Sequence, residues 1–172
     1  MLKLLGIVLV VFSCTAMGWN QSIAVENRLR QLREIEKLVH LILGEITYRK
    51  EALPEVLLHT SRKAASPFDV FLREVAQQAS LYQGECFSGI FRKQAEECLK
   101  NSNLTANELE TFMQLGEYLG WLDIEMQRNT MALYLEQLKQ DIGNLSRELP
   151  VKKKMCRSLG VMAGIFLAII LL

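Results

Sequence analysis

The stretch MALYLEQLKQDIGNLSRELP, residues 131–150, decides the fold class. Its apolar residues Met131, Leu135, Leu138, Ile142, Leu145 and Leu149 recur at alternating steps of four and three. At about 100° per residue, those steps keep all six side chains on one stripe of an α-helix. Downstream come Pro150, then Lys152, Lys153, Lys154 and Arg157, then an uncharged run over 158–172. A polar-backed helix therefore leads through a basic collar into an apolar tail. The other end mirrors this order: residues 4–25 carry no charge, and Arg28, Arg30 and Arg33 follow.

A helix that crosses a hydrocarbon core needs roughly 20 apolar residues. Residues 4–19 are strongly apolar, residues 20–25 extend them through the headgroup region, and Trp19 suits the interface. The C-terminal run is shorter: at about 1.5 Å per residue its length is about 22 Å. Arg157 and the lysines can snorkel to lengthen it, or the bilayer can thin locally. Residues 160–172 are apolar on every face, unlike an amphipathic surface helix. The chain is thus expected to divide into an N-terminal transmembrane segment (1–25), a helical bundle (26–150), and a basic collar with a C-terminal transmembrane segment (151–172). Arg28, Arg30 and Arg33 on the bundle side of the first span outnumber Lys3 on its far side, and four basic residues precede the second span with none after it, so the bundle is expected in the cytoplasm. Gly160 and Gly164 form a GxxxG step that lets helices approach closely, against the first span or another subunit, so a homo-oligomer is compatible with the pattern. The alternative is an extracytoplasmic helical binding protein with a cleaved or lipidated N-terminus. Against it, no A-x-A site follows the apolar run, and Phe12 is too bulky for the lipoprotein pattern before Cys14.

The residues between the ends read as further helices. Leu32, Ile35, Val39, Ile42 and Ile46 recur at three and four, which predicts an amphipathic helix over about 26–50. Leu53-Pro54-Glu55 opens a shorter helix to about Arg62, because proline suits a first helical position. Ser66-Pro67 repeats the signal with Ser66 as N-cap, and Phe68, Phe71, Leu72, Val75 and Ala79 face inward. Gly84 separates the next helix, about 85–100, with Phe87, Ile90, Phe91, Ala95 and Leu99 inward. Thr105 and Glu108 have capping-box spacing, ahead of Leu109, Phe112, Met113, Leu115 and Leu119. Gly120 closes that helix as C-cap and Asp123 caps the last one. No stretch shows sustained strand alternation. The expected class is all-α, a compact bundle of five to six helices between two transmembrane helices, with the first and last helices long and antiparallel.

Composition and motifs exclude several functions. Lys+Arg 20 against Asp+Glu 19 gives a net charge of +1, without the basic excess of a nucleic-acid binder. The chain has no G-x-x-x-x-G-K-[ST] and no HExxH, and His40 and His59 stand alone on separate helices. Four cysteines without a CxxC are expected as free thiols in a reducing compartment. No enzyme activity, metal, cofactor or small-molecule substrate is expected.

The distinctive internal motif is Leu115-Gly116-Glu117-Tyr118-Leu119-Gly120-Trp121-Leu122-Asp123. Gly116 and Gly120 lie four apart, which clears one helix stripe for a close neighbour. Glycine costs about 1 kcal/mol relative to alanine inside a helix, so both positions point to a packing need. Glu117 is expected either as a surface charge or as a cap for a neighbouring helix.

Together with the start Met1-Leu2-Lys3-Leu4-Leu5-Gly6, with Gly44-Glu45-Ile46, Tyr48 and Leu53-Pro54-Glu55, and with Gln127, Ser158-Leu159-Gly160-Val161 and Gly164, this motif resembles the stage III sporulation protein AB family. The likeness covers nearly the whole length. The spacing of Gly116, Glu117, Gly120 and Leu122 is also similar to that in the cytoplasmic domains of the type II secretion inner-membrane platform protein, whose fold is a six-helix bundle. Trp121 departs from the pattern, where a smaller residue is expected. The resemblance implies a non-catalytic assembly component of a secretion-like complex joining mother cell and forespore. It also implies residence in the mother-cell membrane around the forespore, with a cytoplasmic secretion-type ATPase and other membrane subunits as partners.

Overall fold

The computed structural model describes residues 2–48, 51–81, 84–120 and 123–171, with side chains described from Asn20 to Met162 apart from those of Ile124, Cys156, Arg157 and residues 159–161. Its element order is α1 (Leu2–Tyr48), α2 (Leu53–Ser61), α3 (Phe68–Ser80), α4 (Phe87–Cys98), α5 (Ala106–Leu119) and α6 (Ile124–Leu171). No strand occurs among the described residues. The chain forms two compact units, Gln31–Asp141 and the paired ends Met1–Arg30 with Ile142–Leu172.

The unit Gln31–Asp141 is a bundle built on the periodic stripes. Leu32, Ile35, Val39, Ile42 and Ile46 of α1 are buried, as are Met131, Leu135 and Leu138 of α6. Between them α2 contributes Val56 and Leu57, and α3 contributes Phe68, Phe71, Leu72 and Val75. Ile90, Phe91 and Ala95 of α4 and Phe112, Met113, Leu115 and Leu119 of α5 complete this core. Ala79, expected inside, is half-buried, and Ala76 occupies the buried position on α3 instead.

Local chemistry sets the helix ends. At α5 both halves of the capping box form: Glu108 N–H donates to Thr105 Oγ1 at 3.3 Å, and Thr105 N–H donates to Glu108 Oε2 at 2.8 Å. At α6, Asp123 Oδ1 accepts from Glu125 N–H at 3.1 Å. The α3 start differs from expectation. Pro67, not Ser66, is the N-cap, and no side chain caps the helix. The first intrahelical bond there runs from Phe71 N–H to the Pro67 carbonyl at 3.2 Å, so the helical hydrogen bonding begins one residue later than the serine signal suggests. Gly84, at φ +81°, makes the turn into α4 that other residues rarely adopt.

In the other unit, α1 and α6 run antiparallel, and Leu29, Ile142 and Leu145 are buried. Ser22 is also buried there. Lys153 Nζ donates to Glu26 Oε2 at 2.5 Å across the pair. Both helices are unbroken through positions 25/26 and 150/151, where the sequence places its domain boundaries. Pro150 lies inside α6 and is exposed. It removes one backbone N–H without ending the helix. No helix among the described residues is long and apolar enough to cross a membrane. Apart from Met162, the side chains of the apolar runs 4–19 and 160–172 lie outside the described ones.

Candidate functional site

The glycine motif sits on α5 against an aromatic cluster. Phe91 of α4 is its hub, with ring centroids 5.0 Å from Phe71, 5.4 Å from Phe112 and 6.0 Å from Phe87. Edge-to-face and tilted arrangements of this kind suit the ring quadrupoles. Gly116 is buried and supplies the space for that ring. A Cβ at Gly116 would lie 2.6 Å from Cγ and Cδ1 of Phe91, inside any real contact. Gly120 differs. A Cβ there would meet Phe87 Cβ at 3.5 Å, an ordinary contact. Gly120 is the C-cap of α5 but keeps a right-handed φ of −77°, so the left-handed freedom of glycine is not used.

Glu117, beside these glycines, is exposed. Its charge acts on Arg92 of α4, which forms a two-pronged fork with Glu110 of α5 at 3.1 and 2.8 Å. The hydrogen bond from Arg92 holds the Glu110 carboxyl below the usual carboxylate range, and the same bond raises Arg92 above its own. The rim of the α4–α5 seam thus carries exposed Glu96 and Glu117 and half-buried Glu110 around one arginine.

Gln127 joins this corner to α6. It is buried, and its Nε2 donates to the Leu119 carbonyl at 2.8 Å, close to the C-terminal end of α5 where carbonyls lack helical partners. Sequence reasoning missed both Gln127 and Phe91 as counterparts of the glycine motif. A signal for the first was present: Gln127 stands four residues before Met131, a polar residue in line with the apolar stripe. Trp121 lies outside the described residues.

The basic residues from the two ends of the chain come together on the paired helices. Arg28 is half-buried and Arg30 exposed on α1. On α6, Lys152 bonds Glu148 at 2.6 Å and Lys153 bonds Glu26. The Lys152 hydrogen bond lowers the Glu148 carboxyl below its ordinary range, with Arg28 adding to the effect. Lys154 is exposed. Arg33 belongs to the bundle rather than to this pair. The side chain of Arg157 and the surroundings of Gly160 and Gly164 lie outside the described residues.

The reactive groups are dispersed. His40 is exposed, and His59 Nδ1 lies 3.4 Å from Glu51 Oε2. Among the described residues no group of three or more His, Cys, Asp or Glu is placed to hold a metal. Cys86 and Cys98 are free thiols. Hydrogen bonds with Ser88 and Gly89 lower the Cys86 thiol, and burial raises that of Cys98. A groove of about 420 Å³ opens beside Cys86, lined by Pro54, Ala79, Phe87 and Ile90.

Comparison with known proteins accords with this geometry. The family model for stage III sporulation protein AB matches residues 3–172. Stage III sporulation protein AB of Bacillus subtilis (strain 168) is 25% identical over 172 residues, which is 100% of each chain. A solved structure of a stage III sporulation protein AB superposes with a TM-score of 0.66 at 20% identity, over 72% of this chain and 96% of that one. That likeness shows a shared helical fold. With the family pattern running through nearly every residue, from the apolar start to the apolar tail, the chain belongs to the stage III sporulation protein AB family.

Proposed function

We propose that this chain is a non-catalytic, membrane-anchored platform of a sporulation secretion-like complex, which couples a cytoplasmic ATPase to membrane subunits. Family membership supports the sporulation role. The observation that carries the anchoring is the continuity of the two long helices. α1 and α6 leave the bundle without a break and run on as helix into uncharged sequence at both ends of the chain. Their ends form one compact unit, joined by the Lys153–Glu26 contact, in which Leu29, Ile142 and Leu145 are buried. Two helices joined this way enter a bilayer side by side, with their basic residues at its surface and the bundle on the cytoplasmic side of the mother-cell membrane. The platform role draws on the acidic α4–α5 rim and its glycine seam, where a protein partner finds charge on a rigid packed support.

A thiol label tests the topology. In a full chain with Cys14, Cys98 and Cys156 changed to serine, exposed Cys86 is the sole target. A membrane-impermeant maleimide is expected to leave it unlabelled in intact sporulating cells and to label it after permeabilisation. Labelling in intact cells would place the bundle outside the cytoplasm and favour an extracytoplasmic binding protein.

A further inference from the structure

Charge is divided unevenly between the two units. The bundle Gln31–Asp141 holds 12 Lys and Arg against 17 Asp and Glu, a net −5. The paired ends hold eight Lys and Arg against two Asp and Glu, a net +6. Both of those acids are engaged: Glu26 with Lys153, and Glu148 with Lys152. Arg30, Arg147 and Lys154 are exposed and make no ion pair among the described residues. Antiparallel pairing brings Arg28 and Arg30 of α1 alongside Arg147 and the lysines of α6, although about 120 residues separate them in sequence.

Exposed apolar side chains sit among these cations. Val151 is 67% exposed, Met155 54% and Met162 66%, and Ile23 of α1 is 44% exposed. Val151, Met155 and Met162 follow one another at steps of four and seven, along one line of α6. Lys152 and Lys154 flank that line. We infer that the paired ends form a binding surface for anionic phospholipid headgroups. Phosphates take the cations, the lysine stems lie along the apolar line, and Val151 and Met155 enter the headgroup boundary. An acidic protein or a nucleic acid would satisfy the charges but leave the apolar line in water.

The inference rests on the membrane-anchored reading, and one experiment separates the two. Trp19 lies on α1 seven residues before Glu26, and Trp121→Phe leaves it as the sole tryptophan. The full chain carrying that change is reconstituted in phosphatidylcholine vesicles containing either brominated phosphatidylglycerol or brominated phosphatidylcholine at equal mole fraction. Stronger quenching of Trp19 by the glycerol lipid is expected. Each basic residue near an anionic surface changes association about fivefold. Replacing Arg30, Arg147 and Lys154 together by glutamine is therefore expected to abolish the preference while circular dichroism stays unchanged. Raising salt to about 0.5 M is expected to weaken it. Equal quenching by both lipids, or a preference that survives the triple substitution, overturns the headgroup surface and leaves the anchoring intact. No quenching by either lipid overturns the anchoring as well.

Discussion

Gly116 holds the space that the Phe91 ring fills, and this contact organises the α3–α4–α5 core. Any side chain at Gly116 must displace the ring, since a Cβ would lie 2.6 Å from it. Alanine gains about 1 kcal/mol of helix propensity over glycine. Overpacking, which typically costs about 1–3 kcal/mol, offsets that gain. Gly116→Leu is therefore expected to destabilise the chain by at least that amount in urea denaturation followed by circular dichroism. In a Phe91→Ala background Gly116→Ala should become neutral or stabilising, because the obstacle is gone. An equal penalty in both backgrounds would show that the ring is not the cause. Gly120→Ala, with its nearest contact at 3.5 Å, should change stability by about 0.5 kcal/mol or less. The sequence marks both glycines alike. Their difference lies in what faces them, and Phe91 is 25 residues away from Gly116 in a separate helix.

At the scale of the element, what the sequence makes legible is what is local. The capping box of α5 needs only Thr105 and Glu108 three residues apart, and it forms as the spacing predicts. Thr105→Ala removes the acceptor for Glu108 N–H and should cost about 1 kcal/mol. Unchanged melting would mean that the box is idle. The α3 start was less legible because Ser66 and Pro67 both carry N-terminal signals, and the first helical bond falls to Pro67. The Arg92–Glu110 fork joins α4 to α5 and could not be foreseen from periodicity, since the two residues lie 18 apart, half-buried on separate helices and off the apolar stripes. The folded-state pKa of Glu110 is depressed. Its stabilisation is therefore present above the unfolded carboxylate pKa and is lost as pH falls through the folded value. The stability difference between wild type and Glu110→Gln should be largest near neutral pH and shrink in acid. A difference that grows in acid would contradict the fork.

For the whole molecule, one fold serves two chemical settings: a bundle with net −5 and paired ends with net +6. The overall charge of +1 hides this division. The apolar stripes were readable in sequence because each repeats within a single helix. The pairing of Glu26 with Lys153, and of Gln127 with the end of α5, was not, because each joins segments that meet only after folding. The proposed work of the protein needs both settings at once, a hold on the membrane and a face for the motor. The most direct measurement is calorimetric titration of the full chain, in detergent micelles, with the purified sporulation ATPase. Saturable binding is predicted, and it should weaken when Glu96, Glu110 and Glu117 on the α4–α5 rim are changed to glutamine. No heat of binding from a chain shown to be folded would contradict the platform account.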